Sequence, residues 1–188
     1  MKKYFEDYMR RAGEILSKTP FDELNGAIEL LMSARAEGRW IFAAGNGGSA
    51  ATASHFVNDF LKGLSVEGKK RFKIMALADC VPVVSAIAND YSYDAGFVEQ
   101  LKNYGTDGDL LVVYSGSGNS GNVVRAAEYA KSIGMKVLAF TGRDGGRLNA
   151  HSDVNCIAPT EVMEEIEDVH MVWEHAMVCG IREKIKAE

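Results

Sequence analysis

Apolar residues recur at helical spacing in two stretches at the start of the chain. Residues 4–16 carry one such face and residues 21–36 carry a second. Thr19 and Pro20 separate them, because proline disfavours helical geometry in the residue before it. The pattern therefore predicts two leading helices. It leaves open whether they cap the rest of the fold or reach another subunit.

Short apolar runs alternate with further helical stretches after Gly38. Strands are predicted at about 40–44, 72–77, 110–114, 136–141 and 154–158, and helices at about 49–61, 81–88, 95–104, 122–133 and 161–186. Nearly continuous apolar strands between helices are typical of a parallel sheet covered on both faces. We therefore expect an α/β fold of three layers (αβα) with a five-stranded parallel sheet, and one domain over 1–188, with helices in 1–37 and the core in 38–188.

Two loops rich in glycine and serine follow the first and third predicted strands, at 45–50 (GNGGSA) and 114–121 (YSGSGNSG). Such loops let the backbone approach an anion closely, and the helix that follows offers unpaired N–H groups. Neither fits a P-loop or a G-x-G-x-x-G fingerprint, and one such loop alone is usually only a tight connection. In the flavodoxin-like strand order 2-1-3-4-5, however, both loops face one crevice at the topological switch point. A shared anion site is predicted there.

Composition narrows the class of protein. The chain has 188 residues, 47% hydrophobic and 25% charged, which are ordinary globular values. Its net charge of −5 argues against a nucleic-acid partner. The three cysteines form no C-x-x-C pair, which favours reduced thiols, and neither a signal peptide nor a membrane-spanning run is expected. A cytoplasmic location is the expectation.

Carboxylates and imidazoles occur at helical spacing in two places. His55 and Asp59 are four residues apart in one predicted helix, and Glu167 and His175 are eight apart in the last. Two helices of this kind can form a divalent-metal site or an acid–base pair, or simply present solvated faces. No G-x-S-x-G nucleophile elbow is present to support serine hydrolysis.

Two further polar segments have a structural and a functional interpretation. Asn89 and Asp90 follow an apolar helical stretch, where they can end the helix and start a turn or reach the hydroxyl groups of a ligand. Residues 143–146 (RDGG) follow the fourth strand and read first as a turn, on the sheet edge where the crevice is expected.

These segments together resemble the sugar isomerase (SIS) family. The motifs are 45–50 with His55, 88–91 (ANDY), 115–120 (SGSGNS), 141–146 (TGRDGG) and the last helix with its histidine. The resemblance runs from about residue 4 to the C-terminus. Within the family it is strongest to members that interconvert sedoheptulose 7-phosphate and a heptose 7-phosphate, which implies an aldose–ketose isomerase.

The resemblance also implies roles for single residues. The sugar phosphate would bind at Ser115, Gly116, Ser117 and Ser120. The rest of the sugar would contact Asn46, Gly47, Gly48, Ser49, Asn89, Asp90 and Glu167. Zinc would be held by His55, Asp59, Glu167 and His175. Similar enzymes are homotetramers with sites at subunit contacts.

Three positions depart from the family pattern. Asp59 stands where the family has glutamate, Glu167 where it has glutamine, and Gly116 where it has threonine. We expect Asp59 to remove the proton next to the sugar carbonyl and His175 to transfer a proton on the other side of a cis-enediol intermediate. The alternatives are an isomerase of another phosphosugar, and a non-catalytic SIS protein that binds a phosphosugar or a protein partner, as replication-initiator-associating members do.

Overall fold

The computed structural model describes residues 1–188 and contains one five-stranded parallel sheet. Its strands are β1 Trp40–Ala44, β2 Lys73–Ala76, β3 Leu110–Ser115, β4 Lys136–Gly142 and β5 Val154–Ala158. Their order across the sheet is β2-β1-β3-β4-β5, and every neighbouring pair is parallel. This is the strand order 2-1-3-4-5, so the predicted fold class is confirmed.

Seven α-helices flank the sheet or precede it. They are α1 Lys2–Leu16, α2 Phe21–Glu37, α3 Gly48–Asn58, α4 Val81–Asp90, α5 Val98–Tyr104, α6 Gly121–Ser132 and α7 Met163–Ala187. Short 3₁₀ turns lie at Tyr93–Ala95 and Gly146–His151. None of the helices combines the length and the apolar character that a bilayer crossing requires.

The helix predicted over 49–61 is interrupted by a π-turn. The α-helix ends at Asn58, and the chain continues as a π-helical turn over Asp59–Gly63. Within it the Leu64 N–H donates to the Asp59 carbonyl at 2.9 Å, a bond that spans five residues instead of four. The apolar spacing did not predict this turn, because one widened turn changes the hydrophobic pattern too little to detect.

Two hydrophobic cores lie on the two faces of the sheet. All six residues of β3 are buried, since this central strand is covered from both sides. A cluster of 29 buried residues joins the sheet to α2, α3 and α7, and a cluster of 16 joins its other face to α5 and α6. The larger core thus fixes the two helices, α3 and α7, that carry the candidate histidines.

The two leading helices have different environments. α2 buries Leu24 and Leu31 in the larger core, so it covers the sheet. α1 lies along α7, where the Tyr8 hydroxyl donates to Asp168 at 2.6 Å. The outer face of α1 exposes large apolar side chains, namely Tyr4, Phe5 and Met9. The first helix therefore keeps an apolar surface that a single chain does not cover.

Candidate active site

Both glycine-and-serine loops border one cavity of about 310 Å³. The predicted residues that line it are Asn46, Gly47, Gly48, Ser49, Ser115, Gly116, Ser117, Ser120 and Glu167. A reciprocal amide pair ties the loops together: Asn46 Nδ2 donates to Asn122 Oδ1, and Asn122 Nδ2 donates to Asn46 Oδ1, both at 2.8 Å. Asn122 is buried at the start of α6, so the pair holds the two sides of the cavity at a fixed separation.

The second loop forms a tight turn with its donors facing the cavity. The Gly118 N–H donates to the Ser115 carbonyl at 2.9 Å, and Ser120 is the N-cap residue of α6. Ser120 makes no side-chain capping bond, and the Val123 N–H donates to Asn122 Oδ1 at 3.0 Å. The N–H groups of Gly121 and Asn122 and the serine hydroxyls are therefore available to an anion. Gly118 has a φ of 63°, and a Cβ there would overlap the Gly145 carbonyl. The turn is therefore braced by the loop that follows β4.

Met163 occupies the space beside Gly116. A Cβ built on Gly116 would overlap the Met163 sulfur, and both residues line the cavity. A side chain at position 116 would require Met163 to move. An apolar wall at the first residue of α7 takes its place.

Three of the four predicted metal ligands come together at the junction of α3, the π-turn and α7. His55 Nε2 lies 3.0 Å from His175 Nε2 and 3.6 Å from Asp59 Oδ2, while His175 Nε2 lies 4.0 Å from that same oxygen. One ligand atom of each residue falls within 4.8 Å of the others. Two imidazoles and a carboxylate are a donor set that zinc accepts. The cluster thus fits a divalent metal, and equally a proton shared between the rings.

Glu167 lies outside this cluster. Its carboxylate packs against Gly48, so closely that a Cβ on that glycine would overlap both carboxylate oxygens. Gly48 is the first residue of α3, where the helix dipole favours a negative charge. The structure therefore places Glu167 in the cavity wall at the start of α3, and the three-residue cluster lies further along that helix.

His170 and Glu174 both face the protein interior. His170 Nε2 lies 2.9 Å from the Thr141 carbonyl, and burial lowers the pKa of this imidazole to about 4, so the neutral ring donates to the carbonyl. Both carboxylate oxygens of Glu174 are buried without a hydrogen-bond partner. Burial, reinforced by the charge of Asp59, raises the pKa of Glu174 to about 8. Neither residue lines the cavity.

Asn89 and Asp90 end α4 and do not line the cavity. They are exposed and bond to each other, with Asn89 Nδ2 donating to Asp90 Oδ1 at 2.8 Å. The structure thus supports the interpretation of these two residues as a helix end. It does not bring them to the other candidate sugar contacts.

Sequence reasoning missed several residues that shape the cavity: Tyr114 and Met163 line it, and Asn122 and Tyr93 bond to its first loop. Asn122 was unassigned, although a polar residue one position after a serine loop at a helix start is a reasonable candidate for a loop contact. The Tyr93 hydroxyl donates to Asn46 Oδ1 at 2.7 Å. Tyr93 belongs to a short 3₁₀ turn, and no periodicity or motif distinguished it.

The fold and the cavity define a class of sugar-phosphate-binding α/β protein, and comparison with known families identifies the family within that class. The SIS domain model matches residues 3–142, and this chain belongs to that family. Among curated proteins the chain is similar to the phosphoheptose isomerase of Aliarcobacter butzleri, with 36% identity over 87% of this chain and 86% of that protein. The phosphoheptose isomerase of Shewanella denitrificans is 38% identical over 85% and 83%.

Solved structures of phosphoheptose isomerases are also similar to this chain. The phosphoheptose isomerase from Francisella tularensis superposes with a TM-score of 0.88 at 28% identity, covering 97% of this chain and 96% of that one. The enzyme from Neisseria gonorrhoeae gives a TM-score of 0.87 at 33% identity over the same shares.

The buried state of His170 predicts a loss of stability in acid. Because the pKa of this imidazole is about 4 when folded and about 6.5 when unfolded, only the unfolded chain binds this proton between those values. The free energy of unfolding should therefore fall as pH drops from 6.5 to 4, by up to about 3 kcal/mol from this group. In His170→Gln, whose amide can still donate to Thr141, urea unfolding across this range should show a shallower fall than in the wild type.

The matched control is His151→Gln, which changes a histidine paired with Glu128 of α6, on the opposite side of the sheet from α7, and should keep the wild-type acid slope. If the free energy of unfolding of His170→Gln falls with pH as steeply as that of the wild type, the folded protein takes up the His170 proton in the same pH range as the unfolded chain.

Proposed function

We propose that this chain is an aldose–ketose isomerase that converts sedoheptulose 7-phosphate to D-glycero-D-manno-heptose 7-phosphate. The observation that carries the proposal is the convergence of His55, Asp59 and His175 on two helices whose first turns border the anion-binding cavity. His55 lies seven residues along α3 from Gly48, which is about 10 Å. A phosphate at one end and reacting carbons at the other fit that separation.

Substrate binding divides between the two loops. Ser115, Ser117 and Ser120 would bind the phosphate with the N–H groups that open α6, while the apolar wall of Met163 closes the gap beside Gly116. The proposed sugar contacts are Asn46, Gly47, Gly48, Ser49 and Glu167, which line the cavity. Asn89 and Asp90 remain proposed sugar contacts, which requires the exposed end of α4 to approach the bound sugar.

The proton transfers are assigned to the cluster. Asp59 would take the proton from the carbon next to the carbonyl and return it to the former carbonyl carbon, and His175, 4.0 Å from Asp59, would move a proton between the two oxygens of the cis-enediol. Asp59 is mostly shielded from solvent while both histidines are partly open. This arrangement keeps the base close to the proton donor and leaves the rings accessible to substrate.

We also propose that His55, Asp59 and His175 hold one zinc ion, with Glu167 as a fourth ligand if its carboxylate leaves Gly48. When bound, the ion would act as a Lewis acid toward the sugar oxygens. Homotetramer formation is proposed as well, since the apolar outer face of α1 is exposed in the single chain. The free cysteines agree with a cytoplasmic location.

The position of Glu167 also supports a second candidate function. Because its carboxylate contacts the start of α3 instead of the histidine cluster, the chain could bind a phosphosugar without converting it. A third candidate keeps the isomerase chemistry on a pentose or hexose phosphate.

The direct test is incubation of the purified protein, with zinc present, with sedoheptulose 7-phosphate and a panel of pentose and hexose phosphates, followed by NMR. We expect the aldose to form fastest from the seven-carbon ketose. A faster reaction with a shorter sugar would reassign the substrate. Binding of sugar phosphates without formation of any aldose would support the non-catalytic candidate.

Asp59→Asn should abolish turnover while leaving affinity for the sugar phosphate largely intact. The reason is that the amide cannot accept the proton, whereas the phosphate contacts lie on the serine turn. Turnover by NMR and ligand affinity by calorimetry separate the two effects. Comparable losses of binding and turnover would remove Asp59 as the base.

Zinc titration should rank the proposed ligands. His175→Ala should lose at least about 10-fold in zinc affinity, a loss that removal of even an outer partner of a metal ligand can produce. Glu167→Gln should lose less than His175→Ala, because its carboxylate lies outside the cluster. His151→Ala is the matched control, since it removes a histidine remote from the cluster. Equal losses in His175→Ala and Glu167→Gln would make Glu167 a full ligand, and no loss in His175→Ala would refute the zinc site.

A further inference from the structure

We propose that Arg182 is a positioning residue that holds the π-turn carrying Asp59 in place against His175. The inference rests on the proposed function only in taking Asp59 as the base. Arg182 belongs to α7, makes no contact with the cavity lining, and is not part of the histidine cluster. Its role would be to fix where Asp59 stands.

The contact that supports this role is a single hydrogen bond. Arg182 Nε donates to the Gly63 carbonyl at 2.9 Å in a partly buried position. Gly63 is the last residue of the π-turn, and Asp59 is the first. Carbonyls at the end of a helix lack partners within the helix, and a cationic donor there is favourable because it meets the negative end of the dipole. Arg182 thus caps the turn from outside.

Two polar contacts join the π-turn to α7, in addition to the packing of Phe60 in the larger core. His175 and Arg182 are seven residues apart on α7, about two helical turns, so both point from the same face. His175 lies 4.0 Å from the Asp59 carboxylate at one end of the turn, and Arg182 bonds to Gly63 at the other. Phe60 anchors the middle of the turn in the core, and the two polar contacts hold its ends, which sets the direction from which Asp59 approaches the histidine.

Both the Arg182 guanidinium and the Asp59 side chain lie close to Gly63. Arg182 Nη2 lies 3.4 Å from the point where a Cβ on Gly63 would stand, and Asp59 Cγ lies 3.9 Å from that same point. The Arg182 guanidinium donates its hydrogen bond to a backbone carbonyl, and Arg182 forms no ion pair with a carboxylate.

A π-turn needs such support. Its backbone bond spans five residues, a geometry that is rare and occurs mostly as single turns at functional sites. Flanking residues Ile181 and Ile185 are fully buried, so the stem of Arg182 leaves a rigid part of α7. Loss of the cap would free the turn to relax and would displace Asp59 relative to His175.

The test is Arg182→Met, which keeps an unbranched stem and removes every N–H donor. Displacement of a catalytic group by about 1 Å can cost ~10²-fold in rate, so we expect kcat to fall by roughly that factor while KM changes less than about two-fold. Arg182→Lys, which can still donate to Gly63, should recover part of the loss. Lys186→Met removes an exposed cation one turn further along α7 and should match the wild type.

A second readout does not depend on turnover. The chain has four histidines, so the ring NMR signals of His55 and His175 can be assigned in the metal-free protein. Arg182→Met should shift both signals and leave that of His151 unchanged. An inactive wild-type protein would refute the proposed isomerase and leave this comparison intact.

Three outcomes would overturn the inference. Wild-type kcat and unshifted histidine signals in a folded Arg182→Met protein would show that the cap does not position Asp59. A raised KM with unchanged kcat would make Arg182 a substrate contact. If Arg182→Met does not fold, the lysine variant decides: a folded Arg182→Lys with reduced kcat but unshifted His55 and His175 signals would show that Arg182 does not act through the position of Asp59.

Discussion

The parallel pairing of β1 with β3 is the constraint on which the rest of the site depends. Because Ala44 and Val113 are partners in adjacent strands, the loops that follow them must leave the sheet side by side. The reciprocal bonds between Asn46 and Asn122 then turn this proximity into a fixed separation. The turn at Gly118 could not close against the loop after β4 if the strand order were different. A site for an anion thus follows from sheet topology before any specific side chain is considered.

Helices α3 and α7 extend this site away from the sheet edge, and the inner face of each helix is buried in the larger core. One side of α7 packs Trp173 and Ile181 into the larger core, so the direction in which His175 projects is set by packing. The cost of this arrangement is visible in the same helix, where the carboxylate of Glu174 is buried without a partner and its pKa rises to about 8. Unpaired polar groups of this kind are costly, and they concentrate where function constrains the sequence.

Much of this was predictable from the sequence, and the failures have physical causes. The apolar runs predicted the five strands, the flavodoxin-like order expected for them is the order observed, and the spacing of His55 and Asp59 correctly placed both on one helical face. Periodicity could not show that Glu167 packs on Gly48, because an error of one residue in helix phase turns a side chain by about 100°. The π-turn was not predictable either, because one widened turn hardly changes the hydrophobic pattern. The role of Arg182 was also not predictable, because its partner is a backbone carbonyl.

The three departures from the family pattern have a common property, which bears on whether the site is functional. Each is matched by a neighbour in this structure: Met163 fills the space beside Gly116, the start of α3 favours the charge of Glu167, and Arg182 anchors the turn that carries Asp59. The aspartate carboxylate lies within 4.0 Å of both histidines, so the shorter side chain does not leave Asp59 outside the cluster. The geometry at this position therefore suits proton transfer as well as binding, whereas Glu167, which contacts the start of α3, is the departure that separates the two candidate functions.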